Sequence, residues 1–215
     1  ITATFNKMEI YVNENATGNN DGTTWADAYT SLQDAINNAV SEDVIWVAAG
    51  TYKSSVSDRN TSFNLGVDNV KIYGGFNGTE TTLSQRIILS NPTILSGDLN
   101  GDDTGVDFTT ATRNDNSYHV VQITADDIVI DGFKIENGHA NGSSSNAYGG
   151  GLYILDTAQD VVLKNMEFNN NVGLTGGALR VYYNTNTSAK IENSTFNNNV
   201  SRYGSGLYFL VNNNR

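Results

Sequence analysis

The chain has 215 residues, and its 23 acidic against 12 basic side chains give a formal net charge of −11, which argues against nucleic acid as a partner because phosphate binding calls for a basic surface. It has no cysteine, so disulfides and thiolate metal sites are excluded, and no stretch is apolar for long enough to cross a bilayer as a helix. With 21 glycines, 1 proline, abundant asparagine and only 38% hydrophobic residues, the composition favours turns over helices.

Residues 1–5 have neither the basic start nor the apolar core of a signal peptide, so such a segment is expected to be absent or already removed. Glu9 to Val12 reads as a first strand, followed by turn-rich sequence from Asn13 to Thr24. A helix is predicted over about 31–40. Ser31 with Asp34 three residues later suits its start, and Leu32, Ala35, Ile36, Ala39 and Val40 recur at helical spacing. One amphipathic helix ahead of many strands is expected to close the N-terminal end of a stack. Strands follow at Asp43 to Val47, Gly50 to Tyr52, Val70 to Tyr73 and Pro92 to Ser96. Beyond the polar stretch 98–117 come Tyr118 to Ile123 and Ile128 to Ile130. No linker separates the halves, so a single domain is expected over 1–215, with a cap region at 1–42 and stacked coils at 43–215.

From Val161 to Leu210 one pattern is written twice. Phe168-Asn-Asn-Asn171 leads to Gly176-Gly-Ala-Leu179, and Phe196-Asn-Asn-Asn199 leads to Gly204-Ser-Gly-Leu207, with 28 residues between equivalent positions. An earlier copy has Ile135 for Phe and Gly149-Gly-Gly-Leu152, with a Gly/Ser/Asn insertion at 139–148. A fixed period of short, β-rich segments separated by Gly and Asn marks a solenoid of β coils. Strand alternation then points Leu152 with Ile154, Leu179 with Val181, and Leu207 with Phe209 inward. Tyr153, Arg180 and Tyr208 form an outward row. Phe168 and Phe196 are expected to stack in the core, and the Asn triplets to form a ladder at one turn.

These residues resemble the polymorphic outer membrane protein repeat of bacterial surface proteins, whose signature pairs F-x-x-N with G-G-A-(aliphatic). The N-terminal half is similar to the region preceding such repeats in large secreted proteins of Bacteroidetes-type bacteria. That similarity rests on Tyr11-Val-Asn13, Asp21-Gly-Thr-Thr-Trp25, Leu32-Gln-Asp-Ala35, Ile45-Trp-Val-Ala-Ala-Gly-Thr-Tyr52, Tyr73-Gly-Gly-Phe76, Leu95-Ser-Gly-Asp98 and Asn116-Ser-Tyr-His-Val120. The resemblance implies a right-handed parallel β-helix, secreted or on the bacterial cell surface, often in adhesins. It carries over no catalytic residue.

Two places could carry chemistry. Asp98, Asn100 and Asp102 stand at alternate positions like the opening of a calcium loop, although Asp103 occupies the place of the turn glycine and Thr109 that of the final Glu. A solvated turn is the competing reading. The same carboxylates could instead serve as the acid and base of glycosidic cleavage. The outward Tyr153, Arg180 and Tyr208 could stack on sugars, or simply on one another. His119, alternating with Val121 and Ile123, and His139 in the insertion read as structural. The leading expectation is a non-catalytic adhesin or stalk, with surface glycans or a host or neighbouring cell as partner. The alternative is a polysaccharide lyase or glycosidase acting on acidic polysaccharide. No closing element follows the last strand, so a fragment continuing into, or packing against, further β coils is expected.

Overall fold

A computed structural model describes residues 8–183 and 188–211. Strand β1 (Glu9–Val12) and helix α1 (Leu32–Asn38) precede five coils among these residues. The first coil holds β2 (Val44–Ala48), β3 (Gly50–Lys53) and β4 (Phe63–Leu65). The second holds β5 (Lys71–Phe76), β6 (Thr93–Ser96) and β7 (Val121–Ile123). The third holds β8 (Val129–Asp131), β9 (Phe133–Glu136), β10 (His139–Ala140) and β11 (Leu152–Ile154). The fourth holds β12 (Val161–Lys164), β13 (Glu167–Asn169), β14 (Val172–Thr175) and β15 (Leu179–Tyr183). The fifth holds β16 (Ala189–Glu192), β17 (Thr195–Asn197), β18 (Val200–Tyr203) and β19 (Leu207–Val211).

Equivalent strands pair in parallel to make four sheets: β1-β2-β5-β8-β12-β16, β3-β6-β9-β13-β17, β10-β14-β18 and β4-β7-β11-β15-β19. The chain is therefore a right-handed parallel β-helix, the hand that parallel crossovers take.

Its core consists of columns of like residues. One runs Ile10, Ile45, Ile72, Ile130, Leu163, Ile191 in strict register. A second runs Tyr52, Leu95, Ile135, Phe168, Phe196, ending in two rings stacked at 5.0 Å and 3°. A third runs Phe63, Val121, Leu152, Leu179, Leu207. Strands about 4.8 Å apart bring each side chain onto its equivalent in the next coil. Every such residue buried adds roughly 1.5–3 kcal/mol against the entropy of ordering its coil.

The motif glycines have a backbone reason. Gly149, Gly176 and Gly204 share φ between +57° and +67°. At each of them a Cβ would meet the carbonyl oxygen of the Leu three residues on, at 2.4–2.6 Å. The middle Asn of each triplet also takes the left-handed region, Asn170 at +56° and Asn198 at +52°. The expected ladder is present: Asn198 Nδ2 donates to Asn170 Oδ1 at 2.7 Å, and Asn171 Nδ2 to Asn199 Oδ1 at 3.1 Å.

Helix α1 covers the end where the sheets of β3 and β4 begin one coil later than that of β1, burying Leu32, Ala35 and Ile36. Ser31 caps it by accepting from the Asp34 amide at 3.2 Å. It is shorter than the periodicity suggests. Ala39 is extended, at ψ 143°, and Val40 is 49% exposed rather than part of the apolar face. Outside the first sheet, Tyr11, Trp25, Trp46 and Phe76 form a separate aromatic cluster, with Trp46 stacked on Phe76 at 4.8 Å. Trp25 Nε1 donates to the Glu80 carbonyl, which ties the 13–30 segment to the turn after β5. At the other end Phe209, in register with buried Val181, is 46% exposed.

Candidate functional site in the side loops

Two of the irregular loops that leave the coils, one between β6 and β7 and one between β10 and β11, carry the residues singled out from sequence or cover them. In the first, Asp98 is buried, and its Oδ1 accepts from the Gly101 and Asp102 amides while Oδ2 accepts from that of Asp103. Asn100 donates its amide to Asp115 Oδ2. Carboxylate oxygens of Asp98, Asp102 and Asp103 lie within 4.8 Å of one another. Asp103, which stands where a calcium loop wants glycine, thus joins the two aspartates singled out from sequence.

The group organising this loop is Arg113, fully buried and unmarked by any sequence signal. Its Nη1 pairs with Asp103 Oδ2 at 2.8 Å and its Nη2 donates to the carbonyls of Gly138 and Asn170. Asn116 Nδ2 bridges Asp103 Oδ2 and the Asn137 carbonyl. His139 Nδ1 lies 2.8 Å from the Arg113 carbonyl. Burial pushes the Asp103 carboxyl up despite Arg113 and Asn116, and depresses the Arg113 guanidinium despite four nearby aspartates. The arrangement is a clamp binding the loop to the turns of the third and fourth coils.

The Tyr153, Arg180, Tyr208 row stands in the expected register, but its outward exposure needs correction. Tyr153 is 7% exposed and Arg180 4%; Tyr208 is half-buried. The reason is the second loop. It lays Tyr148 over the Arg180 guanidinium, 3.4 Å from the ring centroid, while Tyr153 and Tyr208 stand at 5.6 and 5.8 Å. His119 completes the layer. Its ring lies 5.5 Å from Tyr153, its Nδ1 is 3.1 Å from the Gly149 carbonyl, and burial lowers its pKa to about 4. These side chains hold a loop against a sheet, as self-stacking predicts.

Where both loops flank the β10-β14-β18 sheet there is a groove of about 310 Å³, lined by Phe108, Ala140, Asn141, Ala147, Leu174 and Arg202. Sequence reasoning did not single out this set. Its one signal was the 28-residue interval from Leu174 to Arg202, which falls between the two halves of the motif.

A family model described as a protein of unknown function (DUF1565) matches residues 14–213. No curated protein matches the chain. Among solved structures, a pectin methylesterase in complex with hexasaccharide VII is similar at 14% identity and TM-score 0.44, over 91% of this chain and 56% of that one. Pectin methylesterase PemA from Erwinia chrysanthemi is similar at 14% identity and TM-score 0.38, over 91% of this chain and 67% of that one. The chain therefore spans little more than half of the first of these structures.

Proposed function

The chain belongs to the DUF1565 family, and we propose that it is a non-catalytic β-helical shaft of a secreted or cell-surface bacterial protein, serving as an adhesin or stalk. The observation carrying this reading is that the side chains best suited to chemistry are occupied in holding the loops. Asp98 caps its own backbone, Asp103 is paired with buried Arg113, and Arg180 lies under Tyr148. Glycosidic hydrolysis needs two carboxyl groups about 5–5.5 or 6.5–9.5 Å apart, flanking a sugar. The 98–103 carboxylates bring single oxygens within 4.8 Å of one another around one turn, whose backbone amides Asp98 already accepts from. No helix among the described residues is long and apolar enough to cross a membrane.

Incubation with a panel of neutral and acidic polysaccharides tests the proposal. The expected result is no new reducing ends or unsaturated products at any pH between 5 and 9. Cleavage abolished by Asp98→Asn or Asp102→Asn would replace it with the carbohydrate-active enzyme.

A further inference from the structure

We propose that the groove between the two side loops binds a carbohydrate chain, with a carboxylated sugar at its Arg202 end. This deepens the shaft reading by giving it a recognition surface.

The groove floor is built by register. Ala140 pairs with Gly173, and the pairs Gly173 with Ser201 and Thr175 with Tyr203 bracket Leu174 and Arg202. Asn141, Leu174 and Arg202 therefore succeed one another on three coils, a column about 10 Å long parallel to the axis. Along that line the surface offers a carboxamide, an aliphatic patch and a guanidinium. Asn141 is fixed, since Arg59 Nη2 donates to its Oδ1 at 2.8 Å while stacking on Tyr118 at 4.0 Å. Phe108 forms one wall. It is half-buried, and the neighbouring His139 ring stands tilted at 6.4 Å and 53°, so it does not lie flat on the Phe108 face. Alternating apolar and hydrogen-bonding groups beside a groove-lining aromatic ring match a sugar ring, which presents C–H groups on its faces and hydroxyls at its edge.

Arg202 decides the acidic end. It is exposed and has no ion pair with a carboxylate among the described residues, in a protein of net charge −11. Asp107, which would repel an acidic ligand, precedes Phe108 on a loop packed near His139 in the third coil, whereas Arg202 lies in the fifth. Its Oδ1 already accepts from the Thr109 amide and hydroxyl. Exposed charges farther away than a Debye length of about 8 Å are largely screened in physiological salt, whereas a sugar carboxylate would meet Arg202 in direct contact.

Calorimetry with a uronic-acid oligomer and a length-matched neutral hexose oligomer tests this on the intact chain. The uronate is expected to bind more tightly than the neutral oligomer. Phe108→Ala should weaken both by about tenfold, and Arg202→Ala should weaken only the uronate, erasing the preference. Both side chains are at least partly exposed, and unchanged thermal midpoints will confirm that the variants fold. Absence of binding, or binding that neither substitution alters, would overturn the groove while leaving the shaft intact. An oligoglutamate bound as tightly as the uronate would overturn the carbohydrate assignment, because it lacks a ring for Phe108. Shortening of the uronate during the titration would instead overturn the non-catalytic reading, with the groove still decided by the two substitutions.

Discussion

Replacing Arg113 with Met measures how much the loop clamp contributes. The guanidinium is fully buried, makes one ion pair and donates to the carbonyls of Gly105, Gly138 and Asn170. A surface pair would be worth about 0–1 kcal/mol. Deleting one member of a buried pair costs about 3–5 kcal/mol, because the other charge stays behind without compensation. Here Asp103 would remain with its side chain only 10% exposed. In a chain of this size each kcal/mol lowers the thermal midpoint by about 2–4 °C, so a fall of roughly 6–20 °C is expected. Urea unfolding gives the free energy, and hydrogen exchange should show early opening around residues 98–117 and 138. Adding Asp103→Asn should recover part of the loss, a less than additive cycle. A cost below about 1 kcal/mol, or full additivity, would refute the clamp.

Other consequences follow from burial. Because His119 is depressed to about 4 in the folded state against 6.5 unfolded, its contribution is complete above pH 6.5 and lost as pH falls towards 4. The loss amounts to about 2 kcal/mol by pH 5; urea midpoints at pH 7.5 and 5 should show it, and His119→Gln should remove most of that difference. His139, also lowered by burial, contributes a slope of the same sign. Phe168→Ala removes a fully buried ring from the stack and should cost about 3–5 kcal/mol in chemical denaturation, against under 1 for Leu89→Ala, which is 90% exposed. Gly138→Ala would place a Cβ 1.8 Å from the Gly150 carbonyl oxygen, and at least about 3 kcal/mol should be lost on urea unfolding. Chelation by EGTA should leave the thermal midpoint within about 2 °C, since Asp98 already caps its loop; a larger fall would place a cation among Asp98, Asp102 and Asp103.

The core columns were legible because a coil period converts sequence spacing directly into contact. Phe168 over Phe196 and the Asn ladder needed only that arithmetic. Strand β4 was not legible, since Phe63-Asn-Leu65 is three residues long amid Ser and Asn that read as turn. The Tyr153, Arg180, Tyr208 register was readable, but its burial was not. Tyr148 arrives from an insertion that has no period, so no spacing places it above Arg180. Arg113 was invisible for a related reason. Its partners Gly138 and Asn170 are 25 and 57 residues away and offer only backbone oxygens, which leave no mark in side-chain identity.

The parallel ladders also set how the shaft responds to being pulled. Bonds between coils lie along the axis, such as Gly176 N–H to the Tyr203 carbonyl and Leu179 N–H to that of Gly206. Tension applied at the two ends therefore pulls those bonds open directly instead of shearing strands past one another. Coils should detach singly. Each 28-residue coil that detaches releases about 90 Å of extended chain. Under load such a shaft behaves as an extensible tether with a sawtooth force profile, paying out length while the remaining coils stay folded.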